Sequence, residues 1–418
     1  MKCLLVAINS KYIHSNPAVY LLRECALRDL KQKQIFGVEV ELAEYTINHH
    51  ASEIFDDIYL HHADLVCFSC YIWNISFVRE LAAELKKVSP DVKIWAGGPE
   101  VSYAANKFLM ENPAFDLIMQ GEGEEVFSEL IRLTVEEKCR IKDVYKQSES
   151  KKVLSEIVEK RYSISGEAAL GNAESNIGNK TKIINTGFAT LMNMDTIPFV
   201  YEDFHLFEHK ILYYETSRGC PFCCSYCLSS VDKTVRFRSL PIVKKELDAF
   251  LEAKVPQVKF VDRTFNCNRQ RAIDIWSYLV EHDNGITNFH FEISSDLLGE
   301  EELELFAKMR PGLIQLEIGV QSTNGETVDA IHRHMDLDKL FHYVDSVHEL
   351  GNIHQHLDLI AGLPYENYER FGCSFDDLYA HEPDQLQLGF LKVLKGTMME
   401  EEVKKYSILY RNQPPYEV

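Results

Sequence analysis

Nowhere in this sequence does an apolar run approach the ~18 residues that a membrane-spanning helix requires. An excess of positive charge is missing too. Lys and Arg number 44 against 64 Asp and Glu, a formal net charge of -20, so no general basic surface exists to hold a nucleic-acid backbone. This argues against a duplex-binding protein, while a local basic patch around an RNA substrate stays compatible. The opening residues MKCLLVAINS carry one lysine and a short apolar run that soon turns polar, which makes a poor secretory leader. Low-complexity tracts and repeats are also lacking. The expectation is a soluble cytoplasmic protein with no membrane association.

What is present is a length of 418 residues, 46% apolar and 26% charged, enough for two ordinary globular domains. Eleven cysteines without a secretory leader read better as reduced thiols and metal ligands than as a disulfide framework. Four of them fall between Cys220 and Cys227. Most of the others (Cys3, Cys25, Cys139, Cys267, Cys373) read as isolated, mostly buried thiols. Cys67 and Cys70 form a pair without partners.

Residues 1–135 alternate short apolar runs with amphipathic stretches, the pattern of βα units feeding a parallel sheet covered on both faces. Strands are expected at 3–8, 38–42, 64–69, 93–96 and 115–119. Such sheets bind ligands beyond the carboxyl ends of their strands. Those ends carry Asn9–Tyr12, Ser69–Asn74, Gly97–Glu100 and Gly121–Glu124. Each loop alone is an ordinary turn; four on one edge point to a sizeable ligand. Residues 136–209 read as a linker. From 210 to 400 a second alternation supplies six βα units, too few for a closed eight-stranded barrel and suited to a partial (βα)6 barrel of the TIM type. Residues 401–418 look like the start of a C-terminal extension, short or truncated.

Directly after the first of these later strands comes Arg218-Gly-Cys-Pro-Phe-Cys-Cys-Ser-Tyr-Cys227. Cys220, Cys224 and Cys227 have the spacing C-x3-C-x2-C. Three thiolates on one loop can ligate three irons of a cubane cluster and leave the fourth open. Structural zinc would want a second C-x2-C pair at finger-like spacing, and none follows. Cys223 and Cys224, being adjacent, point in different directions, which leaves Cys223 a bystander.

Parity along the later strands adds an independent signal. His290, Glu292 and Ser294 share one face; so do Gln315, Glu317, Gly319 and Gln321; so do His354, His356 and Asp358; so do Gln385, Gln387 and Gly389. With the apolar faces against surrounding helices, the polar faces point inward. A barrel filled only for stability would be branched and apolar inside. Any one of these residues fits a satisfied buried network equally well; as a set they imply a polar ligand.

The cysteine stretch resembles the cluster motif of radical S-adenosylmethionine (SAM) enzymes. The later segments FVDRTFN, IGVQS and DLIAGLPYE, and the early AGGPEVS and QGEGEEVF, are similar to the subgroup with an N-terminal cobalamin-binding domain. This resemblance implies a 4Fe-4S cluster on Cys220, Cys224 and Cys227, and Tyr226 beside the SAM adenine. It implies Glu292 and Gln321 as further SAM contacts, with Asp262 at the mouth. It also implies a doubly wound, Rossmann-like domain holding cobalamin through Ser69, Tyr71, Asn74, Gly97, Gly98, Glu100 and Gly121. The D-x-H-x-x-G motif that brings a histidine to cobalt in many cobalamin proteins is absent, so no axial ligand is named. The implied activity is reductive SAM cleavage with methyl transfer to an unactivated carbon. Cyclisation, rearrangement or methylthiolation is the alternative, and a corrinoid or cluster sensor without turnover is a third reading. A flavodoxin- or ferredoxin-like electron donor and a small-molecule or peptide substrate are the implied partners.

Overall fold

The computed structural model describes residues 1–141 and 185–418. They form two compact units, Met1–Met192 and Asn193–Val418. In the first, β1 (Lys2–Asn9), α1 (Pro17–Gln32), β2 (Glu39–Thr46), α2 (Ala51–Leu60), β3 (Leu65–Ser69), α3 (Ile75–Val88) and β4 (Lys93–Gly97) alternate as the sequence predicts. Then follow α4 (Pro99–Ser102), α5 (Ala105–Glu111), β5 (Leu117–Gln120), α6 (Glu124–Ile141) and β6 (Asn185–Phe188).

The strands lie in the order β2-β1-β3-β4-β5-β6, with every neighbouring pair parallel. A doubly wound sheet covered on both faces explains why β1 is apolar throughout: from Cys3 to Asn9 it is wholly buried. Leu4, Val6 and Ile8 pack with Ile54 and Ile58 of α2, Val78 and Leu81 of α3 and Phe108 of α5. The alternate residues Cys3, Leu5 and Ala7 face the other side. The chain winds one way from β1 to β2 and the other way to β3, which sets the switch point at the carboxyl ends of β1 and β3.

The expected linker differs in part. Helix α6 runs on to Ile141, and β6 joins the sheet beside β5. The strand sequence Asn-Thr-Gly-Phe has no apolar alternation to mark it. Pairing makes it a strand: the Gln120 N–H donates to Thr186 Oγ1 at 3.0 Å, and Asn185 Nδ2 donates to Asn106 Oδ1. The expected linker over 142–184 lies outside the described residues.

The second unit holds β7 (Leu212–Tyr214), β8 (Ser217–Arg218), β9 (Arg236–Phe237), α7 (Leu240–Glu252), β10 (Gln257–Phe260), α8 (Arg269–Glu281), β11 (Asn288–Ile293), α9 (Glu300–Phe306) and β12 (Ile314–Gln321). It continues through α10 (Gly325–Ala330), α11 (Leu337–Leu350), β13 (His354–Ala361), α12 (Tyr368–Tyr379), β14 (Gln385–Phe390) and α13 (Met398–Glu402). Strands β7, β10, β11, β12, β13 and β14 are parallel neighbours in that order, so the chain winds in one sense, as in a TIM-type partial barrel. The ribbon β8–β9 stands apart and antiparallel.

Local chemistry sets the element ends. Asn268 accepts from the Arg271 N–H to cap α8, and Asp336 accepts from the Lys339 N–H to cap α11. Gly351 ends α11 at φ 67°, a left-handed position that glycine takes without strain. Phe289, Phe291, Leu316, Ile318, Leu357 and Leu359 are buried, while Glu292, Glu317 and Asp358 on the opposite parity keep some exposure. The expected packing fails on β14, where Leu388 and Phe390 are 50% and 60% exposed. Among the described residues no helix covers that apolar face.

Candidate active site

The cysteine loop is held from both sides before any ligand is considered. At its start, Asp262 is buried just past β10 and accepts from the Thr216 N–H (2.9 Å), Thr216 Oγ1 (2.6 Å) and Ser217 Oγ (2.6 Å). Burial pushes this carboxyl up, and the Ser217, Thr216 and Arg271 partners oppose the rise. Sequence reasoning put Asp262 at the mouth as a ligand contact. In the structure both of its oxygens accept hydrogen bonds at the root of the cysteine loop. Gly219 then turns at φ 91°, where a Cβ would lie 2.3 Å from the Thr234 carbonyl oxygen. Only glycine fits there, and the Cys220 N–H goes on to donate to the Asp232 carbonyl at 3.3 Å.

Cys220 and Cys224 are buried, and Cys227 is half-buried. Cys220 Sγ lies 3.7 Å from Thr264 Oγ1. Cys224 Sγ lies 3.8 Å from Arg333 Nη1, which also donates to the Tyr226 hydroxyl at 3.4 Å. Burial raises the Cys224 thiol, the Arg333 guanidinium opposes that rise, and nearby Cys227 adds to it. Cys223 turns away, with Sγ 3.8 Å from the His332 carbonyl oxygen. Cys220, Cys224 and Cys227 stand on one short loop, with Cys224 and Cys227 near enough to act on one another, while Cys223 is engaged elsewhere. This donor set fits a site-differentiated 4Fe-4S cluster. Tyr226 packs against Ile331, Leu363, Leu391 and Met399.

Three details went unseen in the sequence. Cys267 is half-buried and near Cys220 and Asp262: burial pushes its thiol up to about 11, and both neighbours add to the rise. It is therefore not isolated. Cys373, expected to be mostly buried, is exposed. Arg333 carried no signal beyond being one arginine in a turn.

Along the inner face, registered strands bring charges together. Lys259 Nζ lies 2.8 Å from Glu317 Oε2 and 3.7 Å from Glu292 Oε1. His290 Nε2 is 2.9 Å from Glu317 Oε2, and His356 Nε2 is 3.1 Å from Asp358 Oδ1. Neither contact has hydrogen-bond alignment, so both ring nitrogens and Asp358 Oδ1 stay unsatisfied. Burial raises Glu317, but His290 and Lys259 outweigh it and bring the carboxyl down to about 2. Burial likewise holds His290 below the ordinary histidine range despite Glu317. His356 is raised, first by Asp358. Glu292 is raised by burial, against Arg263 and Lys259. Gln321, at the end of β12, sits at φ 75° with Oε1 buried and without a donor. A ligand offering donors, as SAM does, fits Gln321 and Asp358.

In the first unit the predicted contacts divide. Ser69 ends β3 at the switch point, where its Oγ accepts from Asn16 Nδ2 at 3.2 Å. Asn16 Oδ1 is buried without a donor, an open acceptor at the start of α1 that sequence reasoning missed. Tyr71 stacks on Trp73 with ring centroids 4.5 Å apart, and Trp73 is 41% exposed. Gly97 closes β4 and Gly121 follows β5 at φ 76°. These positions, with the open Asn16 acceptor and the partly exposed aromatic pair, fit a large planar ligand. Others serve the loops themselves. Asn74 is fully buried; it accepts from the Tyr71 N–H and donates to the Ile8 and Ser69 carbonyls. Gly98 allows close approach, since a Cβ there would sit 2.5 Å from the Cys70 carbonyl oxygen. Glu100 is buried within α4.

Comparison with known proteins agrees with both halves. Residues 25–131 match the B12 binding domain and residues 214–378 match the radical SAM superfamily. Among curated relatives, the cobalamin-dependent radical SAM methyltransferase TokK of Streptomyces tokunonensis is 24% identical, over 82% of this chain and 49% of TokK. The hopanoid C-3 methylase of Methylococcus capsulatus is 24% identical, over 80% of this chain and 60% of the methylase. The chain thus spans about half to three-fifths of the length of these relatives. Among solved structures, the radical S-adenosylmethionine methyltransferase TsrM from Kitasatospora setae, with cobalamin and a [4Fe-4S] cluster bound, matches with a TM-score of 0.67 at 16% identity, over 97% of this chain and 74% of TsrM. The cobalamin-dependent S-adenosylmethionine radical enzyme OxsB also gives 0.67 at 16% identity, over 98% of this chain and 62% of OxsB. A glycine-turned three-cysteine loop on a polar-faced partial barrel, joined in one chain to a B12-binding sheet, makes this protein a member of the cobalamin-binding-domain-containing radical SAM family.

Proposed function

We propose that this protein is a cobalamin-dependent radical SAM methyltransferase, moving a methyl group to an unactivated carbon of a small-molecule or peptide substrate. The observation that carries the reading is the loop of Cys220, Cys224 and Cys227, with Cys223 turned away, in a chain that also matches the B12 binding domain. Bound to these two sites, the cluster and cobalamin supply reductive cleavage of SAM and carriage of the methyl group.

The protein's own residues bind, orient and exclude water. Asp262 and Gly219 fix the cluster loop. Gln321 and Asp358 present unsatisfied acceptors to SAM. Glu292 and Lys259 line the lumen beside them, and neutral His290 gives the floor a hydrogen-bonding group without a further positive charge. Phe289, Phe291 and Ile318 seal the far face of the strands against water. Methyl transfer in the names of TokK and the hopanoid methylase supports methylation over the alternatives. A flavodoxin- or ferredoxin-like donor would deliver the electron. No helix among the described residues is long and apolar enough to cross a membrane, and a cytoplasmic, reducing location suits the free thiols.

The test is anaerobic reconstitution with iron, sulfide, hydroxocobalamin, SAM and dithionite. We expect cluster and corrinoid absorption bands together, then 5′-deoxyadenosine. Full loading without 5′-deoxyadenosine would refute the enzyme and favour a corrinoid or cluster sensor. Production of 5′-deoxyadenosine without methyl transfer, once a substrate is in hand, would favour cyclisation, rearrangement or methylthiolation.

A further inference from the structure

We propose that the floor of the second unit's lumen binds a borderline divalent transition-metal ion such as zinc, held by His290, Glu317, His356 and Asp358. This site goes beyond the cofactors assigned above and does not depend on them. The four residues stand on the neighbouring strands β11, β12 and β13, with Glu317 in register with His356 and Asp358 in register with Gly319. Glu317 lies four residues before Gln321 on β12, further from the carboxyl ends that carry the cysteine loop. The group therefore sits deeper in the lumen than the Gln321 acceptor.

His290 and His356 are only 7% and 6% exposed, and neither Nε2 has a hydrogen-bond partner. Asp358 Oδ1 is also buried without a donor. A buried ring nitrogen left unpaired costs about 1–3 kcal/mol, so two of them facing one cavity need a reason. Each is already close to an oxygen: His290 Nε2 is 2.9 Å from Glu317 Oε2, and His356 Nε2 is 3.1 Å from Asp358 Oδ1. The atoms are within range and the hydrogen-bond direction is wrong. Ligands of a single ion show that combination. Donors ~2.0–2.1 Å from a tetrahedral ion lie roughly 3.3 Å from one another, with each lone pair aimed at the metal and none at its neighbour. The ligand atoms of Glu317, His356 and Asp358 all lie within 4.8 Å of one another.

The donors select the ion. Imidazoles with carboxylates suit zinc and its neighbours, whereas calcium and magnesium take oxygen ligands. Charge agrees with this choice. Glu292, Glu317 and Asp358 share the lumen with one ammonium, that of Lys259, which lies 2.8 Å from Glu317 Oε2 and 3.7 Å from Glu292 Oε1. A dication beside Lys259 brings these carboxylates to balance. Lys259 also donates to Glu317 Oε2 and so steadies that ligand from behind, the support that metal-binding carboxylates commonly have. The bound ion would brace β11, β12 and β13 against one another. Asp358 marks the upper rim of the site: Oδ1 serves the ion, and the second carboxylate oxygen stays available to SAM.

The experiment uses the full chain, first loaded anaerobically with iron and sulfide so that Cys220, Cys224 and Cys227 are occupied. Zinc is then added, the protein is desalted, and zinc and iron per chain are measured for wild type, His290→Ala and His356→Ala. X-ray absorption at the zinc edge reads the ligands separately from the iron. We expect about one zinc per wild-type chain, in a shell of nitrogen and oxygen at about 2.0–2.1 Å with no sulfur at about 2.3 Å. Each alanine variant should hold zinc at least about tenfold more weakly in competition with a chelator, with iron per chain unchanged. Wild type that retains no zinc, a shell containing sulfur, or either variant with wild-type zinc affinity overturns the proposal. Should an alanine variant fail to fold, the glutamine variant of the same histidine replaces it on the same criterion. Wild type that takes up no iron yet shows the sulfur-free zinc shell would refute the cluster assignment and leave this site standing.

Discussion

Replacing Asp262 tests whether this residue holds the cluster loop or contacts a ligand. The carboxylate is buried and accepts three hydrogen bonds from two consecutive residues at the loop's root. Asp262→Ala leaves one backbone N–H and two hydroxyls without their acceptor, and leaves the nearby Arg271 with one negative charge fewer. Each orphaned buried donor costs about 1–3 kcal/mol, and the hydroxyls recover part of this by rotating. The expected loss is therefore about 3–5 kcal/mol, within the range for breaking a buried charged network. Asp262→Asn is milder. Its amide oxygen can still serve Thr216 Oγ1 and Ser217 Oγ, which share one carboxylate oxygen, but its NH2 then faces the Thr216 N–H. One orphaned donor pair predicts about 1–3 kcal/mol. Differential scanning calorimetry of the anaerobic protein, with iron per chain measured alongside, reads both variants. The expected order of stability and of iron content is Asp, Asn, Ala. Unchanged melting and iron content in Asp262→Ala, with weakened SAM binding, would refute the clamp and restore Asp262 as a ligand contact.

Two further outcomes follow from the same geometry. Gly219→Ala places a Cβ against the Thr234 carbonyl at a φ that L-residues rarely adopt, so it should cost at least about 1–3 kcal/mol and reduce iron loading; retained iron with an unchanged melt would contradict it. Glu317 has its folded pKa depressed to about 2, so its stabilisation is fully present above the ordinary carboxyl range and is lost as pH falls toward 2. At neutral pH this amounts to on the order of 2–3 kcal/mol. Glu317→Gln should destabilise the protein at pH 7 and flatten the fall in stability between about pH 4.5 and 2. Parallel pH–stability curves for the two proteins would argue against it.

Much of the site was legible because its signals are local. A strand's period of two sorts Glu292 from Phe291 without any tertiary knowledge, and three cysteines within eight residues carry their own geometry. The doubly wound and partial-barrel architectures followed from alternation and from the steric rule on parallel crossovers. Strand β6 was not legible, because Asn-Thr-Gly-Phe becomes a strand only where β5 offers free hydrogen-bonding groups. The exposed face of β14 was equally invisible, since periodicity records which residues share a face but not whether anything covers it.

The sequence by itself determined the covalent spacing of the thiols, the parity of the lumen and the winding of both units, all set by neighbours within a few residues. Only the tertiary structure decided which polar groups are spent and which stay open. Asp262 and Asn74, expected from the sequence as ligand contacts, are engaged by hydrogen bonds to their own loops. Arg333 looked ordinary and proved to be a half-buried cation facing Cys224. A hydrogen bond or ion pair joins residues far apart along the chain, and whether a donor is satisfied depends on every group that surrounds it in space.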